Sequence, residues 1–331
     1  MITRDLRGAI ARAGEAAGFR APADPGLRPT GVPGQYSASI ALDRGVRRRE
    51  TAAVLAAELR AEPWIATAEV TGPGYLTITV TPEALADVAR AITAVGTACV
   101  TSDALADQTV DAGPPGDPLA AATWEEARAA LAAQLTARLA AAAGAAVADR
   151  TAPERHRLNH THRATSPDRG GAPSPRATVA YAGRDAVTFT LARAIPGKPL
   201  RIEPEKMARH VLGNPAYAVR YAHARAASGL RWVAASNAAD TIGFEEVPRS
   251  LLDALSWLPE RVAAAARRGR PDEFARYLED LASITIDVLS TVSRSGRGTA
   301  PGIDRPALAA AAHTGLAAGL CLLGVDPPDR L

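Results

Sequence analysis

The dipeptide Asn214-Pro215 constrains this chain more than any other feature of its sequence. Asn is a preferred residue for satisfying the free amides at a helix start. Pro fits the first helical position, because the hydrogen bond it cannot make is absent there anyway. From this start Tyr217, Tyr221, Arg225 and Ser228 recur at helical spacing and share one face. Ala222, Ala226 and Gly229 make a second face thin enough for another helix to approach closely. Helical patterns follow over 249–267, 271–290 and 305–323, after which Gly324 stands as a C-cap and Pro327-Pro328 bars continuation. The C-terminal part is therefore expected to be an all-α bundle.

Composition bounds the rest. A chain of 331 residues has room for two or three domains. Hydrophobic residues make up 47% and aromatics only 4%, so cores must be built from Ala and Leu with closely spaced helix axes. The formal net charge of +3 permits an anionic partner without demanding one. Cys99 and Cys321 stand alone, without the CxxC spacing of a metal or redox site, and read as free thiols of a reducing compartment. The residues after Met1 lack the apolar core of a signal peptide, and no run reaches the roughly 20 apolar residues that span a bilayer. A cytoplasmic protein without a membrane partner is the expectation.

The chain divides into an α/β part over residues 1–98, a heterogeneous middle over 99–149, a linker over 150–182 and a helical part over 183–331. In the first part, helices are expected over 5–17 and 50–61. Strands are expected over 66–70 and 75–80, around Gly72-Pro73-Gly74. The middle carries one long helix over 124–143. Residues 150–176 are rich in Arg, His, Pro, Ser and Gly without hydrophobic period, hence a flexible linker. The fold class is thus α+β, with a small α/β N-terminal domain, a degenerate middle and an all-α C-terminal bundle.

Asn214-Pro215-Ala216-Tyr217-Ala218-Val219-Arg220-Tyr221-Ala222-His223-Ala224-Arg225 resembles the opening of the DALR anticodon-binding domain of arginyl-tRNA synthetases, with two departures. One is Arg220, where that family usually has Gln. The similarity continues through Trp257-Leu258-Pro259-Glu260 and Ala275-Arg276-Tyr277-Leu278 to the end, where the family usually closes on Met and this chain has Leu331. Gly34-Gln35-Tyr36-Ser37-Ala38-Ser39-Ile40-Ala41-Leu42 and Gly72-Pro73-Gly74-Tyr75-Leu76-Thr77 resemble signatures of the same family's additional N-terminal domain, which touches the D-loop corner of tRNA. Thr77 stands where the family has Asn, which leaves the base preference open.

The family's ATP-site patterns are not found. Asp111-Ala112-Gly113-Pro114-Pro115-Gly116-Asp117-Pro118-Leu119 resembles the lead-in to the catalytic His-x-Gly-His turn, but the turn itself aligns with Thr123-Trp124-Glu125-Glu126. No imidazole remains there, and two carboxylates would repel ATP. Lys206-Met207-Ala208-Arg209 superficially matches the second, lysine-rich ATP loop but follows the segment that lies downstream of it in the family. Residues 148–175 are too few for the missing sheet, since one βαβ unit alone needs roughly 30.

The resemblance therefore implies a catalytically truncated relative that binds tRNA, of the arginine type, without a cofactor or aminoacylation. The residues it singles out for RNA are Tyr75 and Thr77 at the D-loop, and Tyr217, Arg220, Tyr221, Arg225, Arg267, Arg268 and Leu331 in the helical part. Arg267 and Arg268 belong, with Arg261 and Arg270, to a basic cluster at a helix end, and Arg44, Arg47, Arg48 and Arg49 form a second basic run. His156, His160 and His162 lack a fourth ligand and a scaffold, so no metal is expected. Two rival functions remain: a protein-interaction or regulatory module that reuses the bundle without RNA, and an arginyl-tRNA-dependent enzyme or a subunit of one.

Overall fold

A computed structural model of the chain describes residues 2–22, 24–148, 173–236, 241–243, 246–292 and 302–331. Most of the expected linker, residues 149–172, falls outside them, as do its three histidines.

The N-terminal unit opens with α1 (Ile2–Ala16), whose Ile2, Leu6 and Ile10 are buried on one side. Strands β1 (Arg28–Pro29) and β2 (Gln35–Ala38) follow, then α2 (Arg48–Leu59), β3 (Ile65–Thr71), β4 (Tyr75–Val80) and α3 (Pro82–Val95). The sheet is antiparallel in the order β1-β2-β4-β3. Period-2 alternation decides which side is wet. Leu76, Ile78 and Val80 are buried with Tyr36, Ala38 and Ala68, while Tyr75, Thr77, Thr79, Glu69 and Gln35 lie on the opposite face. Strands β1 and β2 and helix α3 add to the elements expected from sequence.

The middle holds β5 (Thr109–Asp111), α4 (Trp124–Ala142) and β6 (Ala146–Ala148). β5 and β6 pair in parallel, Val110 opposite Val147, so helix α4 is the crossover of one β-α-β unit. Beyond it come α5 (Pro175–Ala182), α6 (Arg184–Ala192) and the short α7 (Pro204–Met207). The linker reading of residues 175–182 needs correcting, because they form α5. Ser174 caps the amide of Ala177, and Pro175 occupies the first turn.

The bundle consists of α8 (Pro215–Ser236), a short strand β7 (Thr241–Gly243), α9 (Glu246–Ser256), α10 (Leu258–Arg268), α11 (Pro271–Val292), β8 (Gly302–Asp304) paired with β7, and α12 (Arg305–Leu322). The single helix expected over 249–267 is two helices. Pro259 has no N–H to give the Leu255 carbonyl, so the chain breaks at buried Trp257. The small face of α8 meets α12 as expected, with Ala222 and Ala226 fully buried. Close approach is also built into α12, where a Cβ on Gly319 would lie 2.5 Å from Leu278 and one on Gly315 would lie 2.8 Å from Leu255.

The two end units dock directly on each other. Thr3 Oγ1 donates to the Ser256 carbonyl at 2.9 Å, and the Tyr36 and Ser256 hydroxyls are 3.2 Å apart. The Tyr36 ring sits 5.4 Å from that of Trp257, and Arg7 pairs with Glu260. The Gly34 amide donates to Asp253 Oδ1 at 3.1 Å. Burial raises the Asp253 carboxyl above the usual carboxylate range, an effect that the Gly34 amide opposes. A carboxyl raised on folding binds more protons in the native state, so this contribution falls as pH rises from about the unfolded value through the raised one. Asp253→Asn keeps an acceptor for Gly34 and removes the desolvated charge. Urea titrations of the variant are expected to show stability at least equal to the parent at neutral pH and a flatter pH profile above pH ~4. An unchanged profile would contradict this account of the seam.

Candidate nucleic-acid interface

Helix α8 is fixed at its start by Asn214, whose side-chain amide donates to the carbonyls of Met207 and Arg209, both at 2.8 Å. This brings the preceding turn against the helix and lays the exposed His210 ring over Tyr217, at 5.3 Å and 12° between planes. Tyr217 in turn stacks on Tyr221 at 5.8 Å and 23°. Both tyrosines are half-buried, so the three rings form a ladder with one side open to solvent. His210 is the member that sequence reasoning missed, because it lies in a turn outside the helical period. Trp232, 74% exposed, follows on the same helical face.

The other singled-out residues of the bundle have partners in the fold. Arg220 pairs with Asp185 at 3.3 Å and ties α8 to α6, both side chains being about one quarter exposed. Arg225 reaches Ser290 at 3.5 Å, and its Nε is buried without a hydrogen bond. Arg267 pairs with Asp24 of the N-terminal unit at 2.9 Å, and Arg268 pairs with Glu273. Arg270 is held by Asp272. Arg261 lies over the Trp257 and Tyr277 rings, 5.7 and 5.6 Å from their centroids. The basic cluster at the end of α10 is thus largely balanced by carboxylates. Leu331 is 55% exposed at the end of a tail laid on the bundle. In that tail the Pro328 carbonyl lies 2.9 Å from His223 Nδ1, and Arg231 donates to the Asp329 carbonyl at 3.2 Å.

At the other end Tyr75 is 39% exposed where β4 leaves the hairpin turn. Thr77 lies on the same face, its hydroxyl 3.0 Å from that of Thr71. Gly74 at the turn has φ 131°, which L side chains rarely adopt, and a Cβ there would meet the Arg48 backbone at a tight 3.3 Å. That contact sets the exposed Arg47, Arg48 and Arg49 at the head of α2 beside the Tyr75 hairpin. The side chain of Arg44 falls outside the described residues. Aromatic and basic groups therefore converge here, although they are 26 or more residues apart in sequence.

The start of α4 is closed by a capping box. Thr123 Oγ1 accepts from the Glu126 amide, and the Glu126 carboxylate accepts from the Thr123 amide, both at 3.2 Å. This capping box satisfies two of the free amides with a negative group already in place. Trp124 Nε1 donates to the Pro173 carbonyl at 2.8 Å over the same turn. Lys206 pairs with Glu203 at 2.5 Å, and Met207 is buried in α7. Burial pushes the Cys99 thiol up to about 12, well away from a reactive thiolate. Among the described residues no helix is long and apolar enough to cross a membrane.

The bundle thus displays stacked rings and is joined to a small sheet that displays another ring beside arginines. Residues 219–331 match the family profile described as the DALR anticodon binding domain. The chain is 35% identical over 171 residues to the arginine–tRNA ligase of Paenarthrobacter aurescens, covering 46% of this chain and 30% of that protein. It is 34% identical over 186 residues to the arginine–tRNA ligase of Frankia alni, covering 49% of this chain and 34% of that protein. Its fold is similar to that of Thermus thermophilus arginyl-tRNA synthetase, with a TM-score of 0.69 at 13% identity and all of both chains covered. Residues 219–331 thus match the DALR anticodon binding domain, and about half of the chain is similar to arginine–tRNA ligases. It spans about a third of the length of the curated relatives it matches.

Proposed function

We propose that this chain binds tRNA, of the arginine-accepting type, through the α8 ring ladder and the Tyr75 hairpin, and does not activate an amino acid with ATP. The observation that carries the first half is the solvent-accessible His210–Tyr217–Tyr221 stack at the start of α8, where the match to the DALR domain begins at residue 219. Each base of an unpaired loop offers a π-face to such a ladder. Supporting the second half is the capped start of α4, where the family's His-x-Gly-His turn would align. A class I site needs imidazoles and free amides there for the transferring phosphate. Here the Glu126 carboxylate takes the Thr123 amide and the Thr123 hydroxyl takes that of Glu126.

A gel shift with total tRNA, followed by sequencing of the retained species, tests the binding and its type. Enrichment of arginine tRNAs is expected. Arginine-dependent pyrophosphate–ATP exchange is expected to stay at background, and a rate above background would overturn the non-catalytic reading.

One feature favours a second reading, a protein-binding module. Residues 205–331 hold 15 basic and 14 acidic side chains, and several of the arginines are paired within the fold. A folded protein that retains no tRNA even at low salt would overturn the first reading and favour this one.

A further inference from the structure

Helix α8, helix α12 and the C-terminal tail bring His223, His313 and Asp329 together, each offering one donor atom within 4.8 Å of the other two. The two imidazoles stack at 4.2 Å, and His313 Nε2 lies 3.0 Å from Asp329 Oδ1. His223 is 1% exposed. Its Nδ1 lies 2.9 Å from the Pro328 carbonyl, which can only accept, so Nδ1 carries the proton and Nε2 keeps its lone pair. That buried Nε2 has no hydrogen-bond partner. A buried lone pair without a donor is costly in a purely structural histidine. It is, however, the state a metal-binding imidazole requires, with the opposite ring N–H anchored to a backbone carbonyl.

We propose that His223, His313 and Asp329 form a binding site for a borderline divalent transition metal of the Zn2+ type, which fastens the C-terminal tail to the bundle. Two imidazoles and one carboxylate are a donor set for zinc, cobalt or nickel rather than for calcium or magnesium. Water completes the fourth position. Donors about 2.0–2.1 Å from a tetrahedral zinc lie roughly 3.3 Å apart. The 4.8 Å spread therefore has to contract and the stacked rings have to splay, which the 29% exposed His313 and 68% exposed Asp329 side chains have the rotameric freedom to do. The metal takes the place of the proton shared by His313 and Asp329 and engages the free Nε2 of His223. This site is independent of the tRNA reading.

The test uses the untagged full-length chain, stripped with a chelator and titrated with Co2+ alone. Ligand-field absorption in the visible should saturate at one equivalent and be abolished by Zn2+. Zn2+ should also raise the melting temperature. His313→Ala and Asp329→Ala both lie at the accessible side of the cluster, and each should weaken Co2+ binding at least about tenfold. The combined variant His156→Ala, His160→Ala and His162→Ala should leave binding intact. Absence of a saturable cobalt spectrum overturns the proposal. So does a spectrum that survives both ligand variants, or one that is lost in the triple variant.

Discussion

Replacing Tyr36 by Ala should lower the stability of the whole chain by about 3–5 kcal/mol, the usual cost of deleting a buried aromatic side chain. Tyr36 is fully buried, lies opposite Ile78 in the sheet, packs on Trp257 and meets the Ser256 hydroxyl. It therefore belongs to the core of the N-terminal unit and to its seam with the bundle at once. Tyr36→Phe removes only the hydroxyl contact and should cost about 0.5–1.5 kcal/mol. Because Thr3, Gly34 and Arg7 cross the same seam, the parent chain should unfold in one transition by circular dichroism and by tryptophan fluorescence. In Tyr36→Ala the two signals should separate, since the units then lose their shared aromatic core. An Ala variant within about 1 kcal/mol of the parent, with coincident transitions, would mean that the seam does not couple the units.

The helices of the bundle were legible because their apolar and small residues repeat at the helical period over many turns. That is why α8, α11 and α12 fall where the Asn214-Pro215 start and the patterns over 271–290 and 305–323 suggest. Short elements were not. β2 spans four residues, and its alternation of half-buried Gln35 and Ser37 with buried Tyr36 and Ala38 is too brief to stand out from the turn before it. The break at Trp257 did have a local signal, Pro259, which an amphipathic pattern running through it concealed. Ser174-Pro175 likewise marked the start of α5 inside a stretch of linker composition.

What no local pattern reveals is pairing across the chain. Arg267 reads as a free basic group until Asp24, 243 residues away, is found beside it. Asp253, Ser256 and Trp257 read as ordinary helix residues until the N-terminal unit covers them. The same holds for His223 and Asp329. Tyr75 and Tyr217 stand out as candidates in the sequence, one through its resemblance to the N-terminal domain signature and the other through its helical face. That Arg47–Arg49 flank the first and His210 extends the second depended on tertiary approach.

Loss of the middle rung of the ladder should weaken tRNA binding more than loss of any one arginine. Tyr217→Ala removes the ring that both His210 and Tyr221 stack against. If that ladder receives anticodon-loop bases, the cost is roughly 1–3 kcal/mol, or about 5–150-fold in Kd. Tyr217→Phe keeps the π-face and should bind nearly as the parent does. Tyr75→Ala, on a different unit, should add to the Tyr217 change. The arginines should act differently, because phosphate contacts set the salt dependence without reading sequence. Arg267 and Arg268 must first leave Asp24 and Glu273, so their replacement by Ala should flatten the salt slope only slightly. Replacing exposed Arg47, Arg48 and Arg49 together should flatten it more, and should weaken all tRNAs alike. Filter binding across a salt series measures both quantities. If Tyr217→Ala binds as tightly as the parent while the arginine variants lose affinity, the ladder is a packing feature and the RNA is held by charge alone.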